Sequence, residues 1–142
     1  MLMFLTRLVY ASSISDNFSC DDIEHILAEA RDHNKENNVT GMLCFDNKHF
    51  LQCLEGSRLN VNNTYHRILN DKRHCQVIIL DYKEIPMREF SDWSMGYLPE
   101  SGLTTSLNLK YSGSAEFSPY DMSGDGAHLM LLELKKLTGP AC

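Results

Sequence analysis

Val39-Thr40-Gly41-Met42-Leu43-Cys44-Phe45 and His49-Phe50-Leu51-Gln52-Cys53-Leu54-Glu55 are two short apolar runs separated by Asp46-Asn47-Lys48, which is the spacing and chemistry of a β-hairpin. Upstream, Ile23, Ile26, Leu27 and Ala30 recur at helical spacing behind Ser19 as N-cap, with Asp21 and Asp22 in the first turn, so a helix runs to about Asn37. Before it, the β-rich stretch Phe4 to Ala11 gives way to the polar run Ser12 to Ser19. Downstream, Gly56 and Ser57 open a second helix with the face Val61, Tyr65, Ile68 and Leu69. A fourth strand follows at Gln76 to Tyr82 and a fifth near Trp93 to Leu98. The order β-α-β-β-α-β-β is the split βαβ pattern of an α+β, ferredoxin-like sandwich. In that topology the first and third strands lie side by side in the middle, with both helices on one sheet face.

The rest of the chain forms a C-terminal helical extension. Its helix carries Leu129, Leu132, Glu133 and Lys136, and Gly139-Pro140 stops it. The second sheet face would be bare unless the segment from Leu103 onward covers it, which also points to a self-associating protein. The expected division is residues 1–98 for the sandwich and 99–142 for the extension.

A chain of 142 residues supports a single core, and its net charge of −6 repels the phosphate backbone of nucleic acids. Met1 to Tyr10 is too short for a membrane span, carries Arg7 and has no cleavable leader pattern, so neither membrane insertion nor export is expected. Five cysteines without a C-x-x-C pair fit a reducing cytoplasm, and the adjacent His74 and Cys75 alone do not make a metal site.

Polar residues sit where core residues are expected. Asn34 falls four positions after Ala30 on the stripe of the first helix, with His33 beside it. Gln52 shares a strand face with Phe50 and Leu54, Tyr10 with Leu8, and, on the fifth strand, Trp93 with Met95. Turned inward, Tyr10, Gln52 and Asn34 would bring a phenol and two amides to one internal pocket, and buried polar groups demand partners. Each also has a plainer reading. Tyr10 can be core packing with its hydroxyl at the rim, Asn34 a helix C-cap, and Gln52 a solvated strand residue. Trp93 and Met95 can be core fillers, and His33 a helix-end cation.

The segments Arg7-Leu8-Val9-Tyr10-Ala11-Ser12, His33-Asn34, Val39-Thr40-Gly41, Phe50 to Gly56, Asp71-Lys72-Arg73-His74 and Asp92-Trp93-Ser94-Met95 occur in an order and spacing similar to BLUF domains, the flavin-binding blue-light sensors. The resemblance spans residues 4 to about 98. Leu109 to Gly113 and the final helix resemble the short single-domain PixD-type members. The resemblance implies a photosensor rather than an enzyme, holding FAD, with FMN or riboflavin as alternatives. It implies Asn34 at the flavin carbonyl edge, His33 near the ring, and Asp71, Arg73 and His74 toward the cofactor tail. Tyr10 would give an electron and a proton to the excited flavin, Gln52 would switch its hydrogen bonds, and Met95 and Trp93 would carry the change outward past the first strand. The output would be altered contact within a homo-oligomer or with a signalling partner such as a response regulator. Ala30 departs from members with serine there, which bears on the lifetime of the light state. Cys44 and Cys53 are expected as small apolar residues beside the pocket. Two alternatives are a light-independent interaction module and a small acylphosphatase-like enzyme. The latter would need a basic anion loop after the first strand, and Ser12 to Asn17 contains no basic residue.

Overall fold

The computed structural model describes residues 4–16, 18, 22–91, 93–98 and 103–137; the expected N-cap Ser19, together with Asp21, Asp92 and the stop Gly139-Pro140, lies outside them. The elements are β1 (Leu5–Ile14), α1 (Asp22–Glu36), β2 (Thr40–Phe45), β3 (His49–Ser57), α2 (Arg58–Leu69), β4 (His74–Glu84), β5 (Gly96–Leu98), α3 (Thr105–Tyr111), a 3-10 turn at Pro119–Asp121 and α4 (Gly124–Leu137). The sheet order is β4-β1-β3-β2-β5. β1 runs antiparallel to both β3 and β4, β2 antiparallel to β3, and β5 parallel to β2.

Local chemistry sets the boundaries. Asp46 Oδ1 accepts the backbone N–H groups of Lys48 and His49 at 2.8 and 2.7 Å, which closes the β2–β3 hairpin as an Asx turn. Asn38 takes φ 55°, and Val39 N–H reaches back to Asn34 O at 2.9 Å, a left-handed residue ending α1 in the Schellman manner. Ser57 Oγ accepts Asn60 N–H at 3.1 Å and caps α2. Gly41 is required by the tightness of the hairpin, since a Cβ there would lie 1.9 Å from Cys53 O.

The sheet separates two cores. On one face α1 and α2 bury Leu8, Tyr10, Leu27, Leu43, Phe50, Leu54, Val61 and Met95. On the other, Val9, Met42, Cys44, Leu51 and Cys53 pack against Leu107, Phe117, Ala127, Met130, Leu131 and Leu134 of the C-terminal segment.

Three expectations change. The fifth strand begins at Gly96 rather than Trp93 and pairs with β2, because both edges of β1 are already taken by β3 and β4. Residues 93–95 precede the strand, so the period of two does not apply to them. Trp93 enters the core under α3 and α4 while Met95 enters the core under α1 and α2. The indole lies over Gly96, where a Cβ would come within 1.7 Å of Trp93 Cε3. Finally, the helix stripes rotate, leaving Leu69 and Leu129 exposed at 46% and 52%. In α4 apolar residues occupy nearly every position from Ala127 to Leu132, so periodicity alone cannot select the buried face.

Leu131→Ala removes a wholly buried side chain and should cost about 2–5 kcal/mol, whereas Leu129→Ala should change stability by no more than about 0.5 kcal/mol. Denaturant unfolding of the two variants checks the assignment of the α4 face.

Candidate functional site

The β1–β3 register pairs Tyr10 with Gln52, and the β2–β3 register sets Gln52 opposite Leu43. All three therefore face α1 and α2 near the middle of the sheet. Tyr10 is fully buried and Gln52 nearly so. Tyr10 Oη donates to Gln52 Oε1, and Gln52 Nε2 donates to Met95 Sδ at 3.2 Å. Tyr65 and His74 flank the phenol at ring separations of 6.0 and 6.3 Å. Burial, then the charge of Asp71 and the neighbouring Tyr65, push the Tyr10 hydroxyl far above its ordinary value, so it holds its proton throughout the physiological range.

Beside this chain of hydrogen bonds lies a cavity of about 320 Å³ lined from α1, α2 and the central strands. Ile26, Ala30, Leu43 and Ile68 supply apolar surface, Tyr10, Gln52, Asn34 and Thr64 polar groups, and Glu29, Arg67, Asp71 and Arg73 charges. Asn34 is buried, and its Nδ2 donates to Ser94 O at 2.8 Å, but its Oδ1 has no partner. An orphaned buried acceptor costs about 1–3 kcal/mol, a cost that a ligand N–H would relieve. A planar heteroaromatic ring with N–H and carbonyl groups along one edge fits this donor and acceptor set, and the volume suits a small-molecule site.

The charged groups form a strap. Arg73 engages Asp71 through Nε and Nη2 at 2.9 and 2.7 Å, and its Nη2 also reaches Glu29 Oε2 on α1 at 2.9 Å. Burial would raise the Asp71 carboxyl, but the hydrogen bonds and charge of Arg73 outweigh it and hold Asp71 below its usual range. His74 packs against Phe50 at 4.5 Å and shares a 2.9 Å hydrogen bond with Ser12 Oγ. Burial lowers its pKa to about 4, opposed by Asp71 and aided by Arg73.

Seven of the nine residues singled out in the sequence thus gather here: Tyr10, Asn34, Gln52, Asp71, Arg73 and His74 line the cavity, and Met95 adjoins it through Gln52. His33 and Trp93 do not line it. His33 Nε2 lies 3.2 Å from Thr64 Oγ1, tying α1 to α2, and burial followed by Arg67 lowers its pKa. Trp93 lies under the opposite sheet face, as do Cys44 and Cys53, whose thiols burial keeps protonated. Arg67 was not foreseen as a lining residue. It follows the α2 stripe only when Thr64, a polar residue, is counted as buried.

The model of the BLUF family, sensors of blue-light using FAD, matches residues 5–96. The blue light- and temperature-regulated antirepressor BluF of Escherichia coli K12 is 36% identical over 91 residues, 64% of this chain and 23% of that protein. The photoactivated adenylate cyclase subunit beta of Euglena gracilis is 33% identical over 102 residues, 71% of this chain and 12% of that protein. The chain thus spans less than a quarter of the length of these curated relatives. The ground-state structure of BlsA superposes with a TM-score of 0.85 at 29% identity, covering 97% of this chain and 91% of BlsA. This chain belongs to the BLUF family, whose cofactor is a flavin. Among the described residues no helix is long and apolar enough to cross a membrane.

The low pKa of His74 carries a pH consequence. Between an unfolded value near 6.5 and a folded value of about 4, the unfolded chain binds the extra proton, so stability is full above pH 6.5 and falls as pH drops toward 4. The loss approaches roughly 3 kcal/mol. Denaturation midpoints should fall across this window in the unsubstituted chain and fall less in His74→Phe.

Proposed function

We propose that this chain senses blue light through a flavin held in the α1–α2 cavity, with Tyr10 as electron and proton donor and Gln52 as the switch. The observation that carries this is the buried sequence Tyr10 Oη, Gln52 amide, Met95 Sδ, set against a cavity where Asn34 Oδ1 awaits a donor. A bound flavin, FAD by the family's description, with FMN or riboflavin able to use the same ring slot, supplies blue-light absorption and an excited state able to oxidise a phenol.

The chain's own residues do the rest. With that excited state as the electron acceptor, Tyr10 would lose one electron and its Oη proton, and the hydrogen bond to Gln52 Oε1 is the path by which the proton would leave. Gln52 then turns its amide, exchanging the faces that accept and donate, and Met95 Sδ loses its donor. Electron and proton return to Tyr10, so no residue is left oxidised. Desolvation of Tyr10 keeps the proton in place until oxidation makes the phenol acidic. Asn34 would hold the ring through its unpartnered Oδ1, and Asp71, Arg73, Glu29 and Arg67 would supply the charged groups for the rest of the cofactor. His33 supports the slot indirectly by joining α1 to α2 through Thr64. Trp93, under the other sheet face, takes part by moving with Met95 rather than by touching the ring.

On this reading residues 1–98 form the flavin-binding domain, and residues 99–142 pass the change to a second copy or to a cytoplasmic signalling protein. The chain acts as a sensor without catalytic turnover, and no nucleic acid or membrane contact is invoked.

Two substitutions test it. Tyr10→Phe removes a hydroxyl with almost no change of volume. It should remain yellow, show altered excited-state decay, and fail to form a red-shifted light state; a normal yield of that state would make Tyr10 a packing residue. Gln52→Leu should also bind flavin and lose the red shift, because leucine keeps the approximate volume without donor or acceptor. A normal shift and recovery in Gln52→Leu would assign the switch elsewhere. A folded preparation of the unsubstituted chain that takes up no flavin would remove the proposal altogether.

A further inference from the structure

The stretch before Trp93 is held by two groups of residues remote from the cavity. From β3, the buried Glu55 carboxylate accepts the backbone N–H groups of Glu89 and Phe90 at 2.8 and 2.9 Å. From α4, Lys135 Nζ donates to Glu89 O and lies 5.6 Å from the centre of the Phe90 ring. Also from α4, His128 Nε2 lies 3.1 Å from Glu89 Oε1 without the alignment of a hydrogen bond. Arg7 Nη1 approaches the same oxygen at 3.5 Å while its Nε binds Asp81 at 2.9 Å. From Phe90 the chain turns directly into the switch region. Phe90 O accepts Trp93 N–H at 2.9 Å, Trp93 O accepts Gly41 N–H at 3.0 Å, Ser94 O accepts Asn34 Nδ2, and Met95 Sδ accepts Gln52 Nε2.

We propose that Glu89 is a positioning residue for the light reaction, and that its pairing with His128 couples α4 to the Gln52–Met95 contact. The proposal rests on the photosensor reading above. Five residues of chain, fastened at both ends, separate Glu89 from Met95, so a displaced Met95 strains the Glu89 anchor. His128 is the group that reports this strain, since its attraction to Glu89 requires a protonated ring. The charges facing the pair are Arg7 on β1, Asp81 and Lys83 on β4, and Asp125 and Lys135 on α4. Burial, then the charge of Arg7, disfavours the imidazolium and lowers the His128 pKa, and Glu89 and Asp81 oppose them. Any movement of Glu89 away from His128 therefore weakens proton binding there, and by reciprocity protonation of His128 favours the arrangement described here. A groove of about 530 Å³ along Arg7, Glu89 and His128 gives protons access.

The test uses the flavin-loaded full chain. The His128 ring resonances are titrated in darkness and under steady blue light, and recovery of the light state is timed across pH 5 to 8 (about the range of histidine titration). The expected result is a lower apparent pKa for His128 in the light. Recovery should also show a pH dependence of roughly two- to tenfold that is flattened in His128→Gln and in Glu89→Gln. A slope that persists in both variants arises from groups other than this pair and overturns the coupling. If His128→Gln does not fold, the His128 resonances of the unsubstituted chain decide alone. A normal red shift with unmoved His128 resonances, or with recovery profiles unchanged in both variants, overturns the coupling and leaves the photosensor reading intact. Absence of any red shift in the unsubstituted chain overturns both.

Discussion

The pairing of Tyr10 with Gln52 across the two central strands is the constraint on which the rest of the site depends. It arises from the β1–β3 register, so shifting either strand by one residue would turn one partner to the opposite face of the sheet. That register is held by apolar residues on both faces. Leu8, Phe50 and Leu54 face α1 and α2, while Val9, Leu51 and Cys53 face the C-terminal segment. A phenol and an amide buried at the centre of a sheet cost free energy unless each is paired. Here the phenol donates to the amide oxygen, and Met95 Sδ, a weak acceptor, takes one of the two amide protons. A weak partner suits a group that must change partners.

The same sheet explains how a small change inside could be felt outside. Its two faces carry separate cores, and the segment from Phe90 to Met95 crosses between them, with Trp93 buried on one side and Met95 on the other. Backbone hydrogen bonds to Gly41 N–H and Asn34 Nδ2 hold that crossing at its middle. Close-packed cores resist continuous deformation, so a segment gripped on both faces tends toward discrete arrangements.

Much of the fold was legible because its signals are local. The hairpin at Asp46-Asn47-Lys48, the helix stripe from Ile23 to Ala30 and the opening of α2 at Ser57 each depend on neighbours within a few residues. The inward turn of Tyr10, Asn34 and Gln52 was legible only as a possibility. Periodicity places residues on a common face but does not say which face is covered, and the family resemblance pointed to the face that the structure then describes. What escaped depends on distant partners. β5 pairs with β2 because β1 has no free edge, Trp93 turns away because its segment is not extended, and α4 has too many leucines for a stripe to stand out. The link from Arg73 to Glu29 joins residues far apart in sequence, so spacing held no trace of it, and Arg67 escaped because its place on the α2 stripe shows only when the polar Thr64 is counted as buried. The short α3, with Thr104 as its cap, offers too few turns for periodicity to register.

The central claim is that Gln52 changes its hydrogen-bond partners while the structure around it persists. The chain contains only two glutamines, Gln52 and Gln76, and Gln76 is exposed on β4, away from the cavity. The most direct measurement is therefore the side-chain amide resonances of flavin-loaded protein labelled with nitrogen-15 at glutamine, recorded in darkness and under blue light. The account predicts that the Gln52 amide resonances move while those of Gln76 stay in place. A red-shifted light state formed with the Gln52 resonances unmoved would contradict it.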